Sequence, residues 1–203
     1  KSLNTLSTNN VPKYYQYRLK TRHNLDSYSS FDALLLDPVS NLNYIAKEMD
    51  KDYEKCCKEI EFISSSAMSG FQKSLEEYRQ EINRFKKGIA TIECYDLVKK
   101  SFKQMIKTFM QKLPGEQRSI KGWRLFQIVF IVSLLPEVIR CEYPDDEMIR
   151  EADEEIAELL YFPTGGGKTE AFLGVCVFSM FFDRFRGKAD GVTAFLKYPL
   201  RLL

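Results

Sequence analysis

Gly165, Gly166, Gly167, Lys168 and Thr169 stand together between two apolar runs, in the stretch LLYFPTGGGKTEAF of residues 159–172. Three successive glycines let backbone N–H groups curl around an anion with no side chain in the way. A helix starting at Lys168 turns its unsatisfied N–H groups and the positive end of its dipole toward the same point. Lys168 would then supply a point charge to the β- and γ-phosphates of a nucleotide, and the Thr169 hydroxyl a ligand to Mg²⁺. These two are the catalytic candidates. The general phosphate-loop pattern asks for a further glycine at position 162. This chain has Phe162 there. A purely structural turn has no use for Gly-Lys-Thr at the head of an apolar helix, so the loop is read as a phosphate site.

The flanking elements must position that loop. IAELLYF (156–162) reads as a buried strand, and KTEAFLGVCVFSMFFDRF as a helix apolar nearly all round, as expected beneath a sheet. Gly187 is its expected C-cap, KADG a turn, and VTAFLKY (192–198) a second buried strand. Strand, loop, helix and strand make one βαβ unit, which implies an α/β fold with a parallel sheet and a right-handed crossover.

Upstream the pattern is helical. Met68, Phe71, Leu75, Tyr78, Ile82, Phe85 and Ile89 recur at steps of three and four and form one apolar stripe. Gly88 is expected to weaken that helix near its end. Val98, Phe102, Met105, Ile106, Phe109 and Leu113 line a second helix, closed by Pro114-Gly115. Aromatics in the seam suit packing within a core better than a regular coiled coil. After GEQRSIKG, Trp123 is expected to begin a helix running to about Leu135, where Pro136 ends or kinks it. The acidic residues between Asp145 and Glu155 read as a solvated face or linker. The expected organisation is therefore an irregular segment over 1–45, with a strand hinted at Tyr14, Tyr15, Tyr17 and Leu19, a helical region over 46–120, and the nucleotide-binding part over 121–203.

Composition narrows little. The 203 residues carry 30 basic and 28 acidic side chains, a formal charge of +2, which neither demands nor excludes a polyanionic partner. Cys56, Cys57, Cys94, Cys141 and Cys176 show no metal-ligand spacing and read as buried free thiols of a reducing cytosol. His23 is the single histidine, which argues against Ser-His-Asp or Cys-His catalysis. The most apolar stretch, residues 125–139, is shorter than the ~20 residues that span a bilayer, and the start lacks a signal-peptide core. A cytoplasmic protein without a membrane partner is expected. The first residue, Lys1, and the closing YPLRLL suggest a piece of something longer.

PTGGGKTEA resembles motif I of superfamily 2 helicases, in which Pro-Thr-Gly precedes Gly-Lys-Thr and the first glycine of the general pattern is often replaced. That resemblance implies nucleotide contacts from Thr164, Gly165, Gly166, Gly167, Lys168, Thr169 and Glu170. KYPLRLL is similar to motif Ia, which touches the nucleic-acid backbone. By that likeness Pro199 opens a helix facing phosphates and Arg201 contacts them; otherwise Arg201 is a surface arginine. GWRLFQIVF is like the Arg-x-aromatic-Gln element upstream of motif I. By resemblance Gln127 reads the adenine edge, with Phe126 or Arg124 steadying the loop or the base. Alternatively, Gln127 is a buried helix-terminal glutamine.

Taken together, these segments and the helix SLEEYRQEINRFKKGI resemble the large helicase subunit of DISARM-type anti-phage systems over roughly residues 50–203. The resemblance implies the opening of a first RecA-like domain, ATP and Mg²⁺ as cofactors, and DNA and a defence-system subunit as partners. The acidic motif and second RecA-like domain that hydrolysis needs would lie elsewhere, so these residues alone are expected to bind nucleotide weakly. A P-loop ATPase that remodels protein complexes, or a helical docking module, are the other readings.

Overall fold

The computed structural model describes residues 25–58, 68–111, 120–150 and 166–197. These hold eight helices: α1 (Phe31–Leu36), α2 (Pro38–Lys58), α3 (Met68–Cys94), α4 (Asp96–Met110), α5 (Leu125–Ser133), α6 (Leu135–Ile139), α7 (Glu147–Arg150) and α8 (Lys168–Phe185). The long apolar stripe makes α3, whose Leu75, Ile82, Phe85 and Ile89 are buried. Val98, Phe102, Met105 and Ile106 do the same for α4. Helix α3 packs on α2 and α5, and α8 on α4 and α5. One cluster of buried side chains runs from Leu25 to Phe182.

Helices α1 and α2 begin at Phe31 and Pro38, where irregular chain was expected up to residue 45. Leu42, Ile45, Ala46 and Met49 form a buried stripe at steps of three, one and three. Asn41, Asn43, Lys47 and Glu48 crowd it and hide the period. Trp123 precedes its helix instead of opening it: α5 starts at Leu125, and α6 follows with Pro136 in its first turn, where a missing N–H does no harm. Of the five thiols only Cys56 is buried, while Cys94 and Cys141 are exposed.

The α/β expectation is overturned. Among the described residues there is no strand, no parallel sheet and no RecA-like domain; the β pairing they contain is an isolated antiparallel bridge between Ser30 and Gly122. IAELLYF lies outside the described residues. Residues 192–197 were expected to be a buried strand, yet Val192 is 77% and Phe195 86% exposed. A strand needs a neighbour to bond to, and this segment is tied down differently. The Asp183 carboxylate accepts from Arg186 Nε at 2.9 Å, Lys188 Nζ at 2.7 Å and Thr193 Oγ1 at 2.7 Å. Lys188 Nζ also donates to the Val192 carbonyl at 3.2 Å. Nor is α8 covered all round. Ala171, Gly174, Phe178 and Phe182 face inward, while Phe172, Leu173 and Met180 remain exposed among the described residues.

The end of α8 does follow the sequence pattern. Gly187 adopts φ +87°, with its N–H on the Arg184 carbonyl and the Lys188 N–H on that of Asp183. That double closure is a Schellman motif. Burial pushes the Asp183 carboxyl up, but the bonds from Lys188, Thr193 and Arg186 outweigh it and hold the group below the ordinary carboxylate range. A depressed folded pKa contributes stability above the unfolded value, near 4, and that contribution is lost as pH falls through the folded value. Asp183→Asn is therefore expected to lower the melting temperature at pH 7 and to converge on the parent as falling pH protonates the folded carboxyl. Equal melting curves at pH 7 would show that the tether is idle.

Candidate functional site

The site is built from the N-termini of α5 and α8. Two backbone bonds fix the entry to α5: Phe31 N–H donates to the Lys121 carbonyl at 2.9 Å, and Trp123 N–H to that of Ser29 at 3.0 Å. Ser29 Oγ closes the junction by donating to the Trp123 carbonyl at 2.8 Å. The Trp123 ring is wedged between Phe31 and Phe109, with centroids at 5.6 Å and 4.4 Å. Helix α8 then passes α5 closely. A Cβ added to Gly174 would lie 2.4 Å from Ile131 Cδ1 and 3.2 Å from Trp123 Cη2. Phe130 and Phe172 meet edge to face at 5.5 Å on the same interface.

This crossing brings Arg124 and Gln127 to the glycine loop. Arg124 Nη1 donates to the Gly166 carbonyl at 2.7 Å, and Gln127 Nε2 to the Gly167 carbonyl at 2.8 Å. The other end of the Gln127 amide is engaged as well: its Oε1 accepts from the Arg124 backbone N–H at 2.8 Å, as a third helical residue does in a capping box. Gln127 is 5% exposed.

Gly167 is the N-cap of α8 and sits at φ +88°, ψ 28°, a left-handed conformation that favours glycine. A Cβ there would also meet Gln127 Nε2 at 2.6 Å and Glu170 Oε2 at 3.3 Å. A left-handed residue followed by right-handed Lys168 turns successive N–H groups to one side, the geometry of an anion-binding nest. Lys168 is half-buried at the first helical position, Thr169 is exposed beside it, and Glu170 follows half-buried. These residue types fit ATP with Mg²⁺: donors converge at a helix N-terminus, with a cation and a hydroxyl in the first turn.

Of the expected site residues, the structure thus brings Arg124, Gln127, Gly166 and Gly167 into contact, with Lys168, Thr169 and Glu170 following in the first turn of α8. Thr164, Gly165, Pro199 and Arg201 lie outside the described residues. Phe126 is half-buried within α5. Sequence reasoning missed Gly174 and Gly88 as supports of the site; a glycine inside an apolar helical pattern was the available signal. No group of three or more His, Cys, Asp or Glu among the described residues could hold a metal ion. No described helix is long and apolar enough to cross a membrane.

Fold and site together define a helical protein in which one helix opens on a left-handed glycine whose neighbouring carbonyls are held by a second helix. No protein-family profile matches the chain. It is similar to the DISARM protein DrmA of Bacillus paralicheniformis, 40% identical in an alignment 88 residues long that covers 40% of this chain. The match spans 7% of that relative's length.

Proposed function

We propose that this chain is the ATP-binding part of an ATP-dependent DNA helicase or translocase of superfamily 2, acting in the bacterial cytoplasm in defence against phage DNA. The observation that carries the reading is the left-handed Gly167 ahead of Lys168 and Thr169, with the Gly166 and Gly167 carbonyls drawn back onto Arg124 and Gln127. In a trans peptide the N–H points opposite to the preceding carbonyl. Drawing these two carbonyls toward α5 therefore turns the Gly167 and Lys168 N–H groups the other way, beside the remaining unsatisfied N–H groups of α8. The similarity to a DISARM protein supports the defence role and a partner subunit from the same system.

On this reading Lys168 binds the β- and γ-phosphates and the Thr169 hydroxyl holds Mg²⁺, which neutralises phosphate charge when bound. Positioning and charge neutralisation carry the chemistry; no covalent intermediate on the protein is needed. Arg201 and the backbone after Pro199 are assigned to DNA phosphates.

The test is ATP hydrolysis by the full-length protein with and without DNA. Stimulation by DNA is expected, weakening as salt rises. Hydrolysis indifferent to DNA but raised by a protein partner would favour a remodelling ATPase instead. Failure to bind any nucleotide would overturn the reading.

A further inference from the structure

We infer that Gln127 is a positioning residue for the phosphate loop and does not read the base. The inference rests on the phosphate-site reading above and concerns what sets its nucleotide specificity. To recognise adenine, a glutamine amide presents its donor and acceptor together to the adjacent acceptor and donor of the base edge. Here the two ends of the amide face protein. Oε1 accepts from the Arg124 N–H at 2.8 Å and Nε2 donates to the Gly167 carbonyl at 2.8 Å. The second amide hydrogen and the second lone pair remain, but at 5% exposure almost none of the residue's surface is open to a base.

The amide also abuts the backbone it holds, since the Cβ direction of Gly167 ends 2.6 Å from Nε2. Pulling the Gly167 carbonyl toward α5 aims the Lys168 N–H at the phosphate position. Arg124 does the same for the Gly167 N–H through the Gly166 carbonyl. The pair forms a clamp on two consecutive peptide planes. Its effect falls on the triphosphate, which every nucleoside triphosphate shares.

The experiment compares binding of ATP, GTP and inorganic triphosphate, each with Mg²⁺, by the full-length protein and its variants. Gln127→Glu keeps the acceptor for the Arg124 N–H and loses the donor to Gly167. It is expected to weaken all three ligands by the same factor, about tenfold, the worth of one buried hydrogen bond. Arg124→Ala, at an exposed side chain, is expected to do likewise and keeps the test valid if the Gln127 variant fails to fold. The ratio of ATP to GTP affinity stays at the parent value in both. If Gln127→Glu weakens ATP while GTP and inorganic triphosphate bind as before, Gln127 reads the base and the inference is overturned, with the phosphate site intact. If the parent protein binds none of the three, the phosphate site and the clamp fall together.

Discussion

Gly88→Ala is expected to destabilise the protein by about 2 kcal/mol or more, although alanine is the better helix former. The Cβ of such an alanine would lie 1.9 Å from the Val132 carbonyl oxygen and 2.7 Å from its carbonyl carbon. Both are backbone atoms of α5, so no rotamer change can make room. Helices α3 and α5 must separate, and a clash this close with backbone puts the cost at or above the top of the about 1–3 kcal/mol that an extra methyl group in a filled core takes. The opposing gain in helix propensity is at most about 1 kcal/mol. At this chain length the net loss corresponds to a fall in melting temperature of roughly 4–8 °C. Gly70→Ala supplies the contrast on the same helix, because nothing lies within 4 Å of its added Cβ. That variant is expected to be neutral or slightly more stable. Equal stability of the two alanine variants would mean that α3 and α5 do not cross at Gly88.

Gly88 also marks where reading the sequence stops short. Its helix was legible because the stripe of Leu75, Ile82, Phe85 and Ile89 is a local, 3.6-residue signal. What the glycine is for depends on a contact with Val132, 44 positions away in the chain, and no local pattern carries that. The same limit explains the failed strand. Residues 192–197 are rich in apolar and β-branched types, but strand propensity describes fit to a sheet, and among the described residues there is none to fit. Asp183 instead gathers Lys188 and Thr193, and that choice was invisible in the run itself.

The site divides along the same line. Residue types alone singled out the glycines, Lys168 and Thr169. Arg124 and Gln127 came from likeness to a known element, and they do reach the loop. Their partners turn out to be the Gly166 and Gly167 carbonyls, set by the crossing of α5 and α8 at Gly174.

Lys168→Ala is expected to abolish ATP turnover by the full-length protein, with a loss of at least about 100-fold, while leaving the fold in place. The magnitude follows from removing a preorganised charge from the transferring phosphoryl group. The unchanged fold follows from its position. Helix α8 holds to the core through Ala171, Gly174, Phe178 and Phe182, and Lys168 is not among these buried residues. Alanine is at least as good a helix former as lysine. A cation in the first turn also opposes the helix dipole, by about 0.3–1 kcal/mol. The parent sequence thus tolerates a local penalty, a lysine at the positive end of a helix, directly after its left-handed glycine N-cap. A local rule broken in this way is expected where function demands it, and on the proposed phosphate reading a bound triphosphate would turn the lysine into a contact. Lys168→Ala should therefore melt within about 2 °C of the parent without ligand. It should also lose the stabilisation that saturating ATP with Mg²⁺ gives the parent. A variant that hydrolyses ATP at the parental rate would remove Lys168 from the site, and with it the phosphate reading of the loop.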